Sequence, residues 1–226
     1  NVKTKLKSIT YGKNIYVVVG HDKTILVSKN AVDWESITID SSSQKKLNSV
    51  AYGNEKFVIV GDLGSIFWSE DRIDWRSKGD ITATKLNKVK FVNDVFMALG
   101  NAGEILISAN GVDWEKIILK EYLDNHYGVA FGNNMYVICG SQGNIFVSQN
   151  AIKWRKINLG KKDLLDINFD GKNFVTVGED GTQFISSDAN EWIDLSFHNL
   201  NSISANKDVV ILGGDKGMIY TSKGGN

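Results

Sequence analysis

Proline is missing from this chain altogether. Every reversal must therefore be made by Gly, Asn or Asp, the other residues that tolerate tight turns. Cysteine is nearly missing. Cys139 stands alone in the apolar run Tyr136-Val137-Ile138-Cys139 and reads as a buried core thiol. One cysteine excludes an internal disulfide, which suits a cytosolic protein and equally a secreted bacterial protein that needs none. An excess of either charge is missing too: 26 Lys and Arg balance 26 Asp and Glu, and the pI is about 7.0. No general affinity for nucleic acid is expected from that balance. No window approaches the roughly 18 consecutive apolar residues of a membrane span. The opening Asn1-Val2-Lys3-Thr4-Lys5 has neither Met nor a signal-peptide pattern, so a processed or trimmed product is expected.

Sustained helical periodicity is also lacking. In its place a repeat runs through all 226 residues. Gly20, Gly61, Gly100, Gly140, Gly178 and Gly214 each end a β-branched apolar run. Eight residues after each comes a serine: Ser28, Ser69, Ser108, Ser148, Ser186 and Ser222. Six residues after the first five serines comes a tryptophan: Trp34, Trp75, Trp114, Trp154 and Trp192. Val, Ile, Phe and Tyr fill the runs between Gly, Asn and Asp, so each unit reads as four short antiparallel strands. Four strands repeated at about 40 residues is the pattern of propeller blades, each covering both faces on its neighbours.

The fold expected is therefore all-β, a six-bladed β-propeller in a single domain over residues 1–226. Its repeats fall at about 7–40, 47–80, 86–119, 126–159, 164–197 and 200–226. The last unit stops short of a Trp strand. Residues 1–6 are expected to supply it as the outer strand of the sixth blade, closing the ring without an open edge. A monomer is expected.

The turns share the pattern Ser-x-Asp/Asn-x-x-x-Trp, from Ser28-Lys29-Asn30-Ala31-Val32-Asp33-Trp34 to Ser186-Ser187-Asp188-Ala189-Asn190-Glu191-Trp192. The Asp or Asn can accept backbone N–H bonds, the Ser can bond locally, and the Trp covers the reversal. The pattern resembles the Asp-box, or bacterial neuraminidase repeat, whose box is one residue longer between Ser and Trp. Photosystem II assembly factor propellers look related. The resemblance covers the whole chain. It implies that Ser28, Trp34, Ser69, Trp75, Ser108, Trp114, Ser148, Trp154, Ser186 and Trp192 are structural, on the face away from any ligand. It also favours an extracellular or cell-surface location, with the cytoplasm left open.

The resemblance invites a sialidase reading, which the arginines oppose. Sialidases hold the substrate carboxylate with three inner-strand arginines, a geometry suited to bidentate charged donors. Arg72 lies inside a turn here, and Arg76 and Arg155 follow a Trp at the start of outer strands. His21, His126 and His198 lack ligand spacing, and no Cys pair exists for zinc. No catalytic residue, metal or cofactor is assigned.

Binding is instead expected at the loops between second and third strands. Their acids include Asp62, Glu179 and Asp215. They are ordinary loop residues or, alternatively, an acidic rim for a cation or a basic partner. At the entrance of the first strands one column reads Lys7, Asn48, Asn87, Tyr127, Leu165 and Asn201. Asn48, Asn87, Tyr127 and Asn201 could bond and stack on a sugar, or Asn could simply open strands after turns. Lysines gather nearby at Lys45-Lys46 and Lys161-Lys162. The function expected is a non-catalytic module binding a protein or a surface glycan. The alternatives are a multivalent lectin and, behind it, a glycosidase or lyase.

Overall fold

The near-continuous apolar runs end up in strands buried on both faces, as the repeat requires. A computed structural model of the chain describes residues 3–39, 46–119, 122–196, 200–205, 209–214 and 219–223. Two compact units are distinguished, Asn1–Lys120 and Glu121–Asn226.

In the first unit the strands form three antiparallel sheets in simple up-and-down order. The first sheet is β1 (Leu6–Gly12), β2 (Ile15–Gly20), β3 (Ile25–Ser28) and β4 (Glu35–Ile37). The second is β5 (Leu47–Gly53), β6 (Lys56–Gly61), β7 (Ser65–Ser69) and β8 (Arg76–Asp80). The third is β9 (Leu86–Val92), β10 (Val95–Gly100), β11 (Glu104–Ser108) and β12 (Glu115–Ile118). Side chains of a strand alternate between faces, and β6 shows the consequence. Phe57 and Ile59 join one cluster with Val17, Val19 and Ile25 of the first sheet. Val58 and Val60 join another with Leu86, Val89 and Phe96 of the third.

The second unit repeats the plan. Its fourth sheet is β13 (His126–Gly132), β14 (Met135–Gly140), β15 (Asn144–Ser148) and β16 (Arg155–Asn158). Its fifth is β17 (Leu164–Phe169), β18 (Phe174–Gly178), β19 (Gln183–Ser186) and β20 (Ile193–Asp194). Its sixth is β21 (Leu200–Ala205), β22 (Val209–Gly214) and β23 (Ile219–Lys223). Val137, Cys139 and Ile145 pack with Leu164, Ile167 and Phe174 between the fourth and fifth sheets. The Cys139 thiol is buried within that cluster.

Sheets approach closely where an aromatic ring of one covers a glycine of the one before. A Cβ on Gly53 would come within 2.0 Å of the Phe91 ring, and one on Gly132 within 2.3 Å of the Phe169 ring. No side chain other than hydrogen fits there.

Residues 1–6 do not all serve the sixth sheet. Leu6 opens β1 and pairs with Gly20, and the Lys5 carbonyl accepts the His21 N–H at 2.9 Å. These bonds finish the first sheet, which corrects the expected boundary at Leu6. Residues 3–5 form no strand, and residues 1 and 2 lie outside the described residues. Among the described residues the sixth sheet has three strands. Leu6, Ile9 and Tyr11 of β1 are 47%, 58% and 54% exposed. Their repeat equivalents Leu47 and Val50 are buried, and Tyr52 is half-buried. No helix among the described residues is long and apolar enough to cross a membrane.

Candidate functional site

Each sheet has two ends, and they are built differently. One end carries the hairpin between first and second strands together with the Ser-to-Trp turn. In the turn at Ser148, the Asn150 Oδ1 accepts the N–H groups of Ile152 and Lys153, each at 3.0 Å. The Ser148 hydroxyl donates to the same oxygen at 3.2 Å. The Trp154 indole N–H donates to the Ala151 carbonyl at 3.0 Å. Asn30, Asp71, Asn110 and Asp188 do the same work in the other turns. The bonds received from the N–H groups of Asn190 and then Glu191 hold the Asp188 carboxyl down at about 2. Asp71 is likewise lowered, by Asp74 and then Ile73.

The neighbouring sheet then grips these turns. Asn54, at a hairpin tip, donates to the Ala109 carbonyl at 3.0 Å, and Asn133 donates to the Ser187 carbonyl at 2.7 Å. Lys13 reaches the Glu70 carbonyl at 3.1 Å. The arginines serve this end and the outer strands. Arg155 bonds the Ala189 carbonyl at 3.2 Å, and the Arg76 guanidinium stacks 4.9 Å over the Trp68 ring. Arg72 holds the left-handed turn position, φ 69°, and its carbonyl accepts the Trp75 indole N–H.

The opposite end carries the second-to-third-strand turn and the entry to the first strand. A backbone latch ties them together. Asp62 N–H bonds the Lys46 carbonyl at 3.0 Å, Asn101 that of Lys85 at 3.1 Å, Ser141 that of Asn125 at 2.9 Å, and Glu179 that of Asp163 at 3.0 Å. Two residues after each latch carbonyl comes a β-bulge. Register shifts fall between Leu6 and Ser8, Leu47 and Ser49, His126 and Gly128, Leu164 and Asp166, and Leu200 and Ser202. In the third sheet the shift falls opposite Asn87. The extra residue is thus Lys7, Asn48, Asn87, Tyr127, Leu165 or Asn201. A bulge bends the strand and re-aims the side chain it carries.

In the first unit, buried Asn48 donates to the Asp62 carboxylate at 2.9 Å and to the Leu86 carbonyl at 2.8 Å. Both its amide hydrogens are thereby used. Half-buried Asn87 bonds Asn101 at 2.8 Å. Lys7 lies in the field of Lys5, Lys85 and Lys46. Partial desolvation first, and then those charges, pull its ammonium below the ordinary lysine value, while Asp62 works the other way. In the second unit, burial pushes the Tyr127 hydroxyl upward; it lies within reach of Asn125 and Asp163, with Glu179 adding to the rise. Lys162 pairs with Asp180. Asn201 lies on β21, and Asp215, His198 and Lys45 lie outside the described residues.

Two groups escape a reading of the sequence. The residues two places before the bulge, Lys5, Lys46, Lys85, Asn125 and Asp163, form a second column whose charge changes along the chain. Aligning the repeats on their glycines exposes it. The other is Glu104, 98% buried as a residue and held by Thr82 at 2.7 Å, Thr84 and Lys116. Nothing in the apolar context of β11 signals a carboxylate there. Among the described residues no group of three or more His, Cys, Asp or Glu is placed to hold a metal.

No family model matches this chain, and no curated protein matches it. Among solved structures, "YCF48 bound to D1 peptide" superposes with a TM-score of 0.76 at 18% identity, covering 99% of this chain and 80% of that one. The computationally designed Ika8 protein gives 0.69 at 14% identity, covering 98% of this chain and 84% of that one. At these identities the likeness concerns the fold alone, and the fold it supports is the β-propeller.

Proposed function

We propose that this chain is a non-catalytic propeller module that binds a protein partner through the latched, bulged ends of its sheets. One observation carries the reading. The Ser-to-Trp end repeats one turn in five sheets, with the Asx oxygen of each turn bonded within the fold, whereas the bulge end carries Lys, Tyr or Leu in three sheets and Asn in the other three. Uniform turns hold a scaffold, and variable positions on a rigid frame are where recognition resides. The superposed YCF48 structure has a bound peptide, which supports a peptide or protein ligand over a sugar. Asn87, Tyr127, Asp62 and Glu179 are the contacts proposed, with Asn48 acting through Asp62. Asn201 and Asp215 complete the proposed set by repeat alignment.

The same proposal takes the turns as shortened Asp-boxes and the six sheets as blades of one closed ring, with the residues before Leu6 helping to finish the sixth. The repeat supports closure, because Leu6, Ile9 and Tyr11 keep the apolar character of Leu47, Val50 and Tyr52, which are covered or half-covered in the second sheet.

The test is peptide display selected on the immobilised chain, beside a glycan array. Selected peptides are expected to lose binding by about tenfold or more with Asn87→Ala or Tyr127→Ala, the loss typical of a central contact. They should keep it with Glu70→Ala or Asp113→Ala at the other end. Binding that depends on the turn end, or a sugar bound in place of any peptide, would overturn the proposal.

A further inference from the structure

Four exposed lysines meet at the bulge end of the first unit. Lys5, Lys46 and Lys85 each carry the latch carbonyl of their sheet, or its equivalent, and Lys7 sits on the first bulge. Their positions are fixed by backbone, since each latch bond holds the residue at a sheet end. Among the described residues none of the four forms a salt bridge. Among the described residues Asp62 is the carboxylate that acts on Lys7, and it already accepts from Asn48. Like charges held together with so little compensation cost stability, and an anion bound among them would relieve that cost.

A second feature adjoins them. Leu63, next to Asp62, is 56% exposed at the tip of the turn and has φ 54°. A leucine in the left-handed region is strained, and here more than half of its surface still lies in solvent. The equivalent tip residues are Asp22, Ala102, Gln142 and Asp180, so the repeat itself does not call for an apolar side chain.

We infer that the first unit docks an acidic peptide segment, its carboxylates on Lys5, Lys7, Lys46 and Lys85 and an apolar side chain over Leu63. This rests on the peptide-binding reading above and names the chemistry of the partner. A nucleic-acid backbone fits less well, because Asp62 stands among the lysines and the chain as a whole carries no net charge. The favoured segment alternates Asp or Glu with Leu or Phe.

The experiment is fluorescence anisotropy on the full chain with three labelled probes. They are a Glu/Leu/Ser peptide, the same peptide with Lys for Glu, and a single-stranded oligothymidine. The acidic peptide is expected to bind, and to weaken as salt rises. The double change Lys46→Glu with Lys85→Glu should cost it about tenfold or more, and Leu63→Ser several-fold. Exposed lysines are not packing residues, so an unchanged melting temperature certifies that the double variant is folded. Unchanged affinity in that variant, or displacement of the peptide by oligothymidine, would overturn the inference. Equal binding of acidic and basic peptides would overturn it while leaving the peptide-binding reading intact. Binding of neither peptide, with the display selection also empty, would remove both.

Discussion

Five turns in this chain hang on one side-chain oxygen each, supplied by Asn30, Asp71, Asn110, Asn150 and Asp188. Asn and Asp both present that oxygen, and the choice between them sets the charge and the second group. That group is an amide that donates to Asp33 or Asp113 from Asn30 and Asn110, or a second carboxylate oxygen that accepts at Asp188. The charge has a measurable consequence at Asp188, whose carboxyl falls from 3.8 to about 2 in the fold. A folded value below the unfolded one means that the native state favours the ionised form. Its contribution is present above about pH 4 and is lost as pH falls toward 2. Asp188→Asn keeps the acceptor and discards the titration. The variant should therefore be somewhat less stable than the parent at pH 7, with the gap closing between pH 4 and 2. Urea midpoints at several pH values would check this, and a gap that stays constant into acid would contradict it. The residue scale is also where the sequence is most readable. The eight- and six-residue spacings locate each turn because the Ser hydroxyl, the Asx oxygen and the Trp indole must meet within a single reversal.

Strands and sheets are legible for a different reason, and less completely. Glycine punctuation marks where each second strand stops, since the next residue must turn into the latch. The bulge is invisible to that reading. Asn48, Asn87 and Asn201 are alike, but Lys7, Tyr127 and Leu165 occupy the same place with other chemistry, because the bulge is a property of register and not of side chain. Leu6 is misplaced on the same account: an apolar residue before a strand looks the same whether it joins that strand or pairs elsewhere. Sheet-to-sheet packing, by contrast, leaves a sharp mark in Gly53. A methyl added there would lie 2.0 Å from the Phe91 ring, so Gly53→Ala must push the ring aside. Such overpacking costs about 1–3 kcal/mol. Phe91→Ala alone should also destabilise, by opening a hole. The two together should cost less than their sum by about 1 kcal/mol or more, since the smaller side chain admits the methyl. Simple additivity in a double-mutant cycle by urea denaturation would show that the contact is not what demands glycine.

At the scale of the whole molecule the question is closure, and β1 offers a way to ask it. Leu6, Ile9 and Tyr11 carry apolar side chains at positions that are covered in the second sheet, yet they are about half exposed. A closed ring would cover them as Leu47, Val50 and Tyr52 are covered, and the apolar character of all three is then explained by burial. An open arrangement leaves them as three apolar residues on a wet face, with no reason to be apolar. Ile9→Glu separates the two. On a solvated face a substitution of this kind stays within about 0.5 kcal/mol. On a covered face it buries a carboxylate without a partner, a cost of several kcal/mol, and lowers the melting temperature by about 10 °C or more for a domain of this size. Val50→Glu in the second sheet is the matched reference, because Val50 is only 4% exposed. Closure predicts that the two substitutions damage the fold to a similar degree. If Ile9→Glu is silent while Val50→Glu unfolds the protein, the ring reading fails, and the first sheet is then a true edge of the structure.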